Sequence, residues 1–266
     1  MIDEGEAREV ALPSSLREVR ILGVRVHDVT LSEALTIVEG FVESKQPHVV
    51  VTTNTEFVVS AQRDPLFRTI LNTADLAVPD GHGLIWASPL SRHRLRAHVA
   101  GTDLVESLAA LSAQRRFRLF LLGAAEGVAE EAARQLRTRY PSLEIAGTFS
   151  GSPREESDQA ARAAIRAAGW VDILLVAYGA PAQEKWLARN LPALGIPVGI
   201  GVGGVFDYLS GRVPRAPLWM RRLGLEWLYR LIKQPWRWRR QLALPSFALM
   251  VVWAAARGRL DRPTSE

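Results

Sequence analysis

The chain has 266 residues, of which 48% are hydrophobic, 23% are charged and none is cysteine, with a formal charge of +5 at pH 7. That length suits one large α/β domain or a domain with an appendage, and the composition excludes disulfides and thiolate metal sites. The opening MIDEGEAREV is acidic and holds no apolar run, which excludes a secretory signal and makes a cytoplasmic location the expectation.

In chain order, the first predicted element is a short hairpin over residues 20–26 around Gly23, expected to add an edge to a larger sheet. Thr30-Leu31-Ser32-Glu33 then fits a capping box and starts a helix whose apolar face carries Ala34, Leu35, Val38 and Val42. Apolar, β-branched runs at residues 48–53, 75–78, 117–122, 143–148, 171–177 and 197–201 read as strands, most of them separated by helix-length amphipathic segments. Helices after Glu126, Glu155 and Pro181 begin with acids or proline in the first turn, which suits the positive end of a helix. This alternation predicts an α/β fold, a Rossmann-like, mostly parallel sheet with helices on both faces. A basic helical appendage follows it. Residues 1–19 read as an N-terminal extension, 20–211 as the α/β catalytic domain and 212–266 as the Arg/Trp-rich appendage.

Ligands of such sheets bind outside the carboxyl ends of the strands, so the residues after each run are the candidates. They include Thr52-Thr53-Asn54-Thr55-Glu56, Pro79-Asp80-Gly81-His82-Gly83, Gly123, and Ser150-Gly151-Ser152. After the last two runs come Gly179-Ala180-Pro181-Ala182-Gln183-Glu184-Lys185 and Gly203-Gly204-Val205-Phe206-Asp207, so six loops are expected to converge on one rim. Taken singly, each has a plainer role. Asp80 suits a type I turn, Thr52 and Asn54 suit helix caps, and Gln183-Glu184-Lys185 suits a solvated helix start.

Between residues 212 and 240, nine basic residues face one acid, Glu226, and four of the eight tryptophans lie in the same block. The remainder of the chain is net acidic, so the positive charge marks one local surface for an anionic partner. Residues 242–256, LALPSFALMVVWAAA, carry no charge and are flanked by Arg239-Arg240 and by Arg257 and Arg259. A spanning helix needs about 20 apolar residues. With Pro245 interrupting the run and tryptophans beside it, a helix lying in the interface of an anionic membrane is expected, peripheral on the inner face. The competing reading is a final helix packed on the core.

Read together, the ordered motifs Thr52-x-Asn54-x-Glu56, Pro79-Asp80-Gly81, Gly101-Thr102-Asp103-Leu104, Gly179-Ala180-Pro181-x-Gln183-Glu184-Lys185-Trp186, Gly201-Val202-Gly203-Gly204-x-Phe206-Asp207, Arg215-Ala216-Pro217 and Gly224-Leu225-Glu226-Trp227-Leu228-Tyr229-Arg230 resemble the WecG/TagA/CpsF glycosyltransferases. Those enzymes make bacterial cell-surface polymers, and the resemblance runs from about residue 21 to 240. It implies inverting transfer of a sugar from a UDP-sugar, typically UDP-N-acetylmannosamine or its uronate, onto an undecaprenyl-diphosphate-linked sugar acceptor. Asp80 matches the base and Thr52 the residue that orients the reacting groups. The resemblance further implies sugar or nucleotide contacts from Asn54, Gln183 and Asp207, with backbone near Gly151 and Gly204 approaching diphosphate or ribose. Arg230, Arg237 and Arg240 match positions implicated in meeting the leaving diphosphate, and relatives suggest self-association into a homo-oligomer. One departure stands out. Where relatives usually carry an arginine, this chain has His98, with Arg92, Arg94 and Arg96 nearby, and a histidine contact to diphosphate depends on pH.

The chemistry agrees with these residue types. A sugar hydroxyl is a poor nucleophile and needs a carboxylate base while the donor sugar loses its nucleoside diphosphate. The charge gathering on that diphosphate is met by a divalent metal or by fixed cations. No Asp-x-Asp occurs in the chain, so no metal or other cofactor is expected and the arginines of the tail take that role. Two other classes fit parts of the sequence. Gly199-x-Gly201-x-x-Gly204 matches the fingerprint of NAD(P)-dependent oxidoreductases, but it follows the sixth run and the next suitable acid, Glu226, lies in a tryptophan-rich helix. Arginine interleaved with tryptophan suits a nucleic-acid-binding module, but that reading leaves the rim unexplained, so no nucleic-acid partner is expected.

Overall fold

The computed structural model describes residues 16–258 and 260. The expected N-terminal extension lies almost wholly outside the described residues, as does the side chain of Arg237. Two short strands, β1 (Glu18–Ile21) and β2 (Val24–His27), pair antiparallel. The main sheet contains β3 (His48–Thr53), β4 (Leu76–Pro79), β5 (Arg118–Gly123), β6 (Glu144–Phe149), β7 (Ile173–Ala177) and β8 (Val198–Gly201). All six are parallel, in the order β4-β3-β8-β7-β5-β6.

The helices between and before these strands are α1 (Leu31–Ser44), α2 (Thr55–Ala61), α3 (Pro65–Thr73), α4 (His82–Ala87), α5 (Gly101–Arg115), α6 (Val128–Arg139), α7 (Asp158–Ala167) and α8 (Ala182–Leu194). After β8 come α9 (Val205–Leu209), α10 (Leu218–Arg222), α11 (Glu226–Lys233), α12 (Trp238–Gln241) and α13 (Ala243–Ala256). The capping box is present at α1, with Thr30 and Glu33 each satisfying the other's backbone N–H.

Side chains alternate across each strand, and both faces of the sheet are apolar. Val50, Val78, Leu119, Leu121, Leu175 and Ile200 pack against α1, α5, α6 and α9 on one face. On the other, Val51 and Ala77 pack with α2, α3 and α13, while Phe120, Leu122, Leu174 and Val176 pack with α7 and α8. The fold is thus the α/β sheet covered on both faces that the sequence predicts.

Two details differ from expectation. The leading hairpin does not extend the main sheet but stands as a separate two-stranded sheet beside it. The reason lies at edge strand β4, where the Ala77 N–H donates to Nδ1 of His27 at 2.9 Å instead of to a strand carbonyl. The hairpin is held from the side by Asn72, which donates to the Gly23 carbonyl and accepts from the Arg25 N–H. Second, Pro245 does not interrupt the last apolar run. It falls in the first turn of α13, where backbone N–H groups have no intrahelical partner to lose. Helix α13 buries Phe247, Val251 and Ala254 and leaves Leu249, Val252 and Trp253 exposed, so it is half packed and half free. Among the described residues no helix is long and apolar enough to cross a membrane.

Burial, helped by Arg25, pushes the His27 imidazole down to about 4. An unfolded histidine takes its proton at about pH 6.5, so the stability contributed by neutral His27 is present above that pH and lost as pH falls to about 4. The loss is on the order of 3 kcal/mol. Urea midpoints measured from pH 7 to pH 4 should show it, and His27→Asn, which keeps an acceptor without titrating, should flatten the slope. An unchanged slope in that variant contradicts the contact.

Candidate active site

A cavity of about 590 Å³ opens at the carboxyl ends of β3, β4 and β8. Its polar wall includes Thr52, Asn54, Asp80, His98 and Gln183, and Arg230 and Arg240 reach it from the appendage. The remaining wall is apolar, with Trp86 and Leu90 from α4 and the turn after it, and Leu244, Phe247 and Val252 from α13. Residues following β3, β4, β7 and β8 line this cavity, whereas those following β5 and β6 do not. Strands β5 and β6 lie beyond β7, at the far edge of the sheet. Gly151 is therefore not brought to the site. It has φ +54°, and a Cβ there would lie 2.8 Å from both Phe149 Cε1 and Tyr178 Oη, so local turning and packing account for it.

Asp80 is set by the end of β4. Its N–H donates to the Thr53 carbonyl at 2.7 Å, and the next segment is pinned because the Val99 N–H donates to the Pro79 carbonyl at 2.9 Å. That bond brings His98 alongside, with Nε2 3.6 Å from Asp80 Oδ1. A Cβ on Gly101 would lie 3.5 Å from Asp80 Oδ2 and from Thr52 Cγ2, so α5 begins against both residues. Ala100 supplies no side-chain cap, and the first turn of α5 lines the cavity with the partial positive charge of a helix N-terminus. Thr52 is buried and its hydroxyl donates to the Gly201 carbonyl at 3.0 Å, which fixes the hydroxyl and leaves its oxygen as an acceptor. The ring of His82 lies 4.3 Å from that of His98. Burial, together with His98, lowers the pKa of His82. Of the arginines near His98, Arg96 is committed elsewhere, bonding Asp28 and Glu33.

Asn54 takes the cap role that its type suits, and Gln183 is buried where a solvated helix start was the plainer expectation. Asn54 caps α2, its Oδ1 accepting from the Phe57 N–H at 3.1 Å, although it still lines the cavity. Gln183 is fully buried, and its Oε1 accepts from the N–H groups of Gly179 and Gly203 at 3.0 and 2.9 Å. Its Nε2 donates to Glu184 at 2.7 Å, so the amide braces two loops rather than projecting freely into the pocket.

The appendage reaches the rim through ion pairs. Arg215 bonds Asp103 at 2.6 Å and lies 3.6 Å from Glu226, tying together the motifs that contain these three residues. Arg240 grips Glu56 with two hydrogen bonds of 2.8 and 2.9 Å. Arg230 Nη2 lies 3.6 Å from Asp207, and the guanidinium stacks 4.8 Å over the Tyr208 ring. Its Nη2 is buried without a hydrogen-bond acceptor among the described residues, and it packs so closely on Gly204 that a Cβ there would collide with it. Asp207 itself does not line the cavity but steadies Arg230.

Several participants escaped the sequence reading. Glu56 stood in a quoted motif without a role, and pairing with Arg240 supplies one. Gly224 lies so close to His82 that a Cβ would sit 2.7 Å from the ring, which explains a glycine at that point of the appendage. Trp86 and Leu90 carry no signal in sequence beyond being apolar.

The chain matches the glycosyl transferase WecG/TagA/CpsF family over residues 19–261. It is 37% identical over 215 residues to the N-acetylglucosaminyldiphosphoundecaprenol N-acetyl-beta-D-mannosaminyltransferase of Bacillus subtilis (strain 168), covering 80% of this chain and 82% of that one. It is 34% identical over 212 residues to the protein of the same name from Bacillus spizizenii (strain ATCC 23059 / NRRL B-14472 / W23), covering 80% and 81%. With the motifs gathered around one cavity and a match across nearly its full length, the chain belongs to the WecG/TagA/CpsF family of glycosyltransferases.

Proposed function

We propose that this chain transfers N-acetylmannosamine from a UDP-sugar to N-acetylglucosamine carried on diphosphoundecaprenol, with inversion and without a metal. The observation that carries this reading is one cavity whose lining combines a carboxylate, Asp80, with the guanidinium groups of Arg230 and Arg240 and an apolar wall. Asp80 takes the proton from the acceptor hydroxyl as its oxygen bonds to the anomeric carbon of the donor. The bond from that carbon to the diphosphate breaks, and its electron pair leaves with UDP. Thr52 orients the reacting groups, and Asn54 offers its amide to a sugar. Arg230, whose buried Nη2 lacks an acceptor, meets the departing charge, with Arg240 and Arg237 assisting. His98 faces Asp80, so its protonation acts on the base as well as on any phosphate. The apolar wall between α4 and α13 suits the lipid end of the acceptor.

Residues 212–266 complete this site and dock the protein peripherally on an anionic inner membrane surface. Trp219, Trp236, Trp238 and Trp253 are all more than half exposed, and the first three stand among the arginines of the basic block. Flotation with vesicles rich in phosphatidylglycerol should recover the full chain, less so at high salt and less so after Trp236→Ala with Trp238→Ala. Equal recovery by uncharged vesicles contradicts anionic docking.

For the chemistry, Asp80→Asn should lower acceptor-dependent UDP release by about a thousandfold, the range of a lost general base. Chelator should leave wild-type release unchanged. Undiminished release by Asp80→Asn removes Asp80 as base, and loss with chelator contradicts metal independence.

A further inference from the structure

Glu184 is the carboxyl that this mechanism leaves unused, and its placement is unusual. It is fully buried on the first turn of α8, with Oε2 lacking a hydrogen-bond partner among the described residues. Oε1 accepts from Gln183 Nε2 at 2.7 Å. A primary amide has two acceptor sites on its oxygen, and both are used by Gly179 and Gly203. The amide has one productive orientation here, oxygen toward the two glycine N–H groups and nitrogen toward Glu184. Reversal would set NH₂ against two N–H donors. The arrangement is also tightly boxed, since a Cβ on Gly201 would lie 2.5 Å from Glu184 Oε1 and 2.7 Å from Gln183 Nε2.

We infer that Glu184 is a positioning residue, which holds the Gln183 amide so that it ties the loop after β7 to the loop after β8. Those loops carry Gly179 and Gly203, the latter next to the Gly204 on which Arg230 rests. Glu184 thereby fixes the floor beneath the Arg230 guanidinium without touching substrate.

Protonation follows from the surroundings. Burial first, and then the like charge of Glu56, push the Glu184 carboxyl up to about 7, against the favourable bond from Gln183. Glu56 on α2 is itself gripped by Arg240. From α3, Asp64 pairs with Lys185, and from α7, Asp158 pairs with Arg189, so the ionic groups of those neighbours are satisfied by each other. A carboxyl raised in the folded state contributes stability that is full below the unfolded value near 4.5 and is lost as pH rises to about 7. The bond from Gln183 itself favours the ionised carboxylate, so the clamp persists on the alkaline side while overall stability falls.

The test compares Glu184→Met, which keeps the volume and removes the acceptor, with Glu184→Gln, which keeps a neutral acceptor. In Glu184→Met the amides of Gly179 and Gly203 should exchange hydrogen about tenfold faster, and transfer should fall about tenfold with the melting temperature within a few degrees of wild type. Glu184→Gln, which keeps an acceptor for the Gln183 amide, should keep protection and rate at pH 7. Unchanged amide protection in Glu184→Met, or loss of protection in Glu184→Gln as large as in Glu184→Met, overturns the inference. Only the effect on turnover rests on the transferase reading. Lost protection with no transfer by the wild type from any UDP-sugar would keep the clamp and sink that reading.

Discussion

Because β3, β4, β7 and β8 run in the same direction, their carboxyl ends deliver Thr52, Asp80, Gly179 and Gly203 to one edge of the sheet. Strand β3 sits between β4 and β8, so the acid after β4 and the glycine turn after β8 flank it. Helix α5 then enters with Gly101 against Asp80 and Thr52, where a Cβ would stand in van der Waals contact with both. Position in the sheet also decides what is left out. Gly123 ends β5 and Gly151 follows β6, both beyond β7, and neither lines the cavity.

The appendage is held to this rim by two kinds of force of unequal size. Helix α13 buries Phe247 and Val251 against α2 and α4, and such side chains contribute about 1.5–3 kcal/mol each. Arg215 before α10, Arg230 in α11 and Arg240 in α12 pair with Asp103, Asp207 and Glu56, carboxylates that are each about a third exposed or more. Pairs of that kind contribute about 0–1 kcal/mol. On these magnitudes the apolar docking of α13 outweighs any one of the ion pairs.

Much of this was legible in the sequence because burial on both faces leaves a plain mark. The runs around Val50, Leu121 and Leu175 are continuous and apolar, and Thr30 with Glu33 announces α1. The hairpin's placement was not legible, since four-residue strands specify pairing with each other and say nothing of a histidine capping Ala77. Gln183 and Glu184 read as a solvated helix start because adjacent polar residues usually are solvated. Their burial follows from Gly199 and Gly201, which remove side chains from β8 and let α8 approach closely. Residue type and motif singled out Asp80 as a candidate, while the partners that place Arg230 and Arg240 required the tertiary contacts of Asp207 and Glu56.

In the proposed mechanism Asp80 deprotonates the acceptor hydroxyl as UDP leaves, a single displacement from the opposite face of the sugar. The direct measurement is the anomeric configuration of the product formed by the full chain from UDP-N-acetylmannosamine and lipid-diphosphate-linked N-acetylglucosamine, read by nuclear magnetic resonance after release of the disaccharide. The account predicts inversion, with every transferred sugar in the configuration opposite to that of the donor. A product that retains the donor's configuration would contradict it.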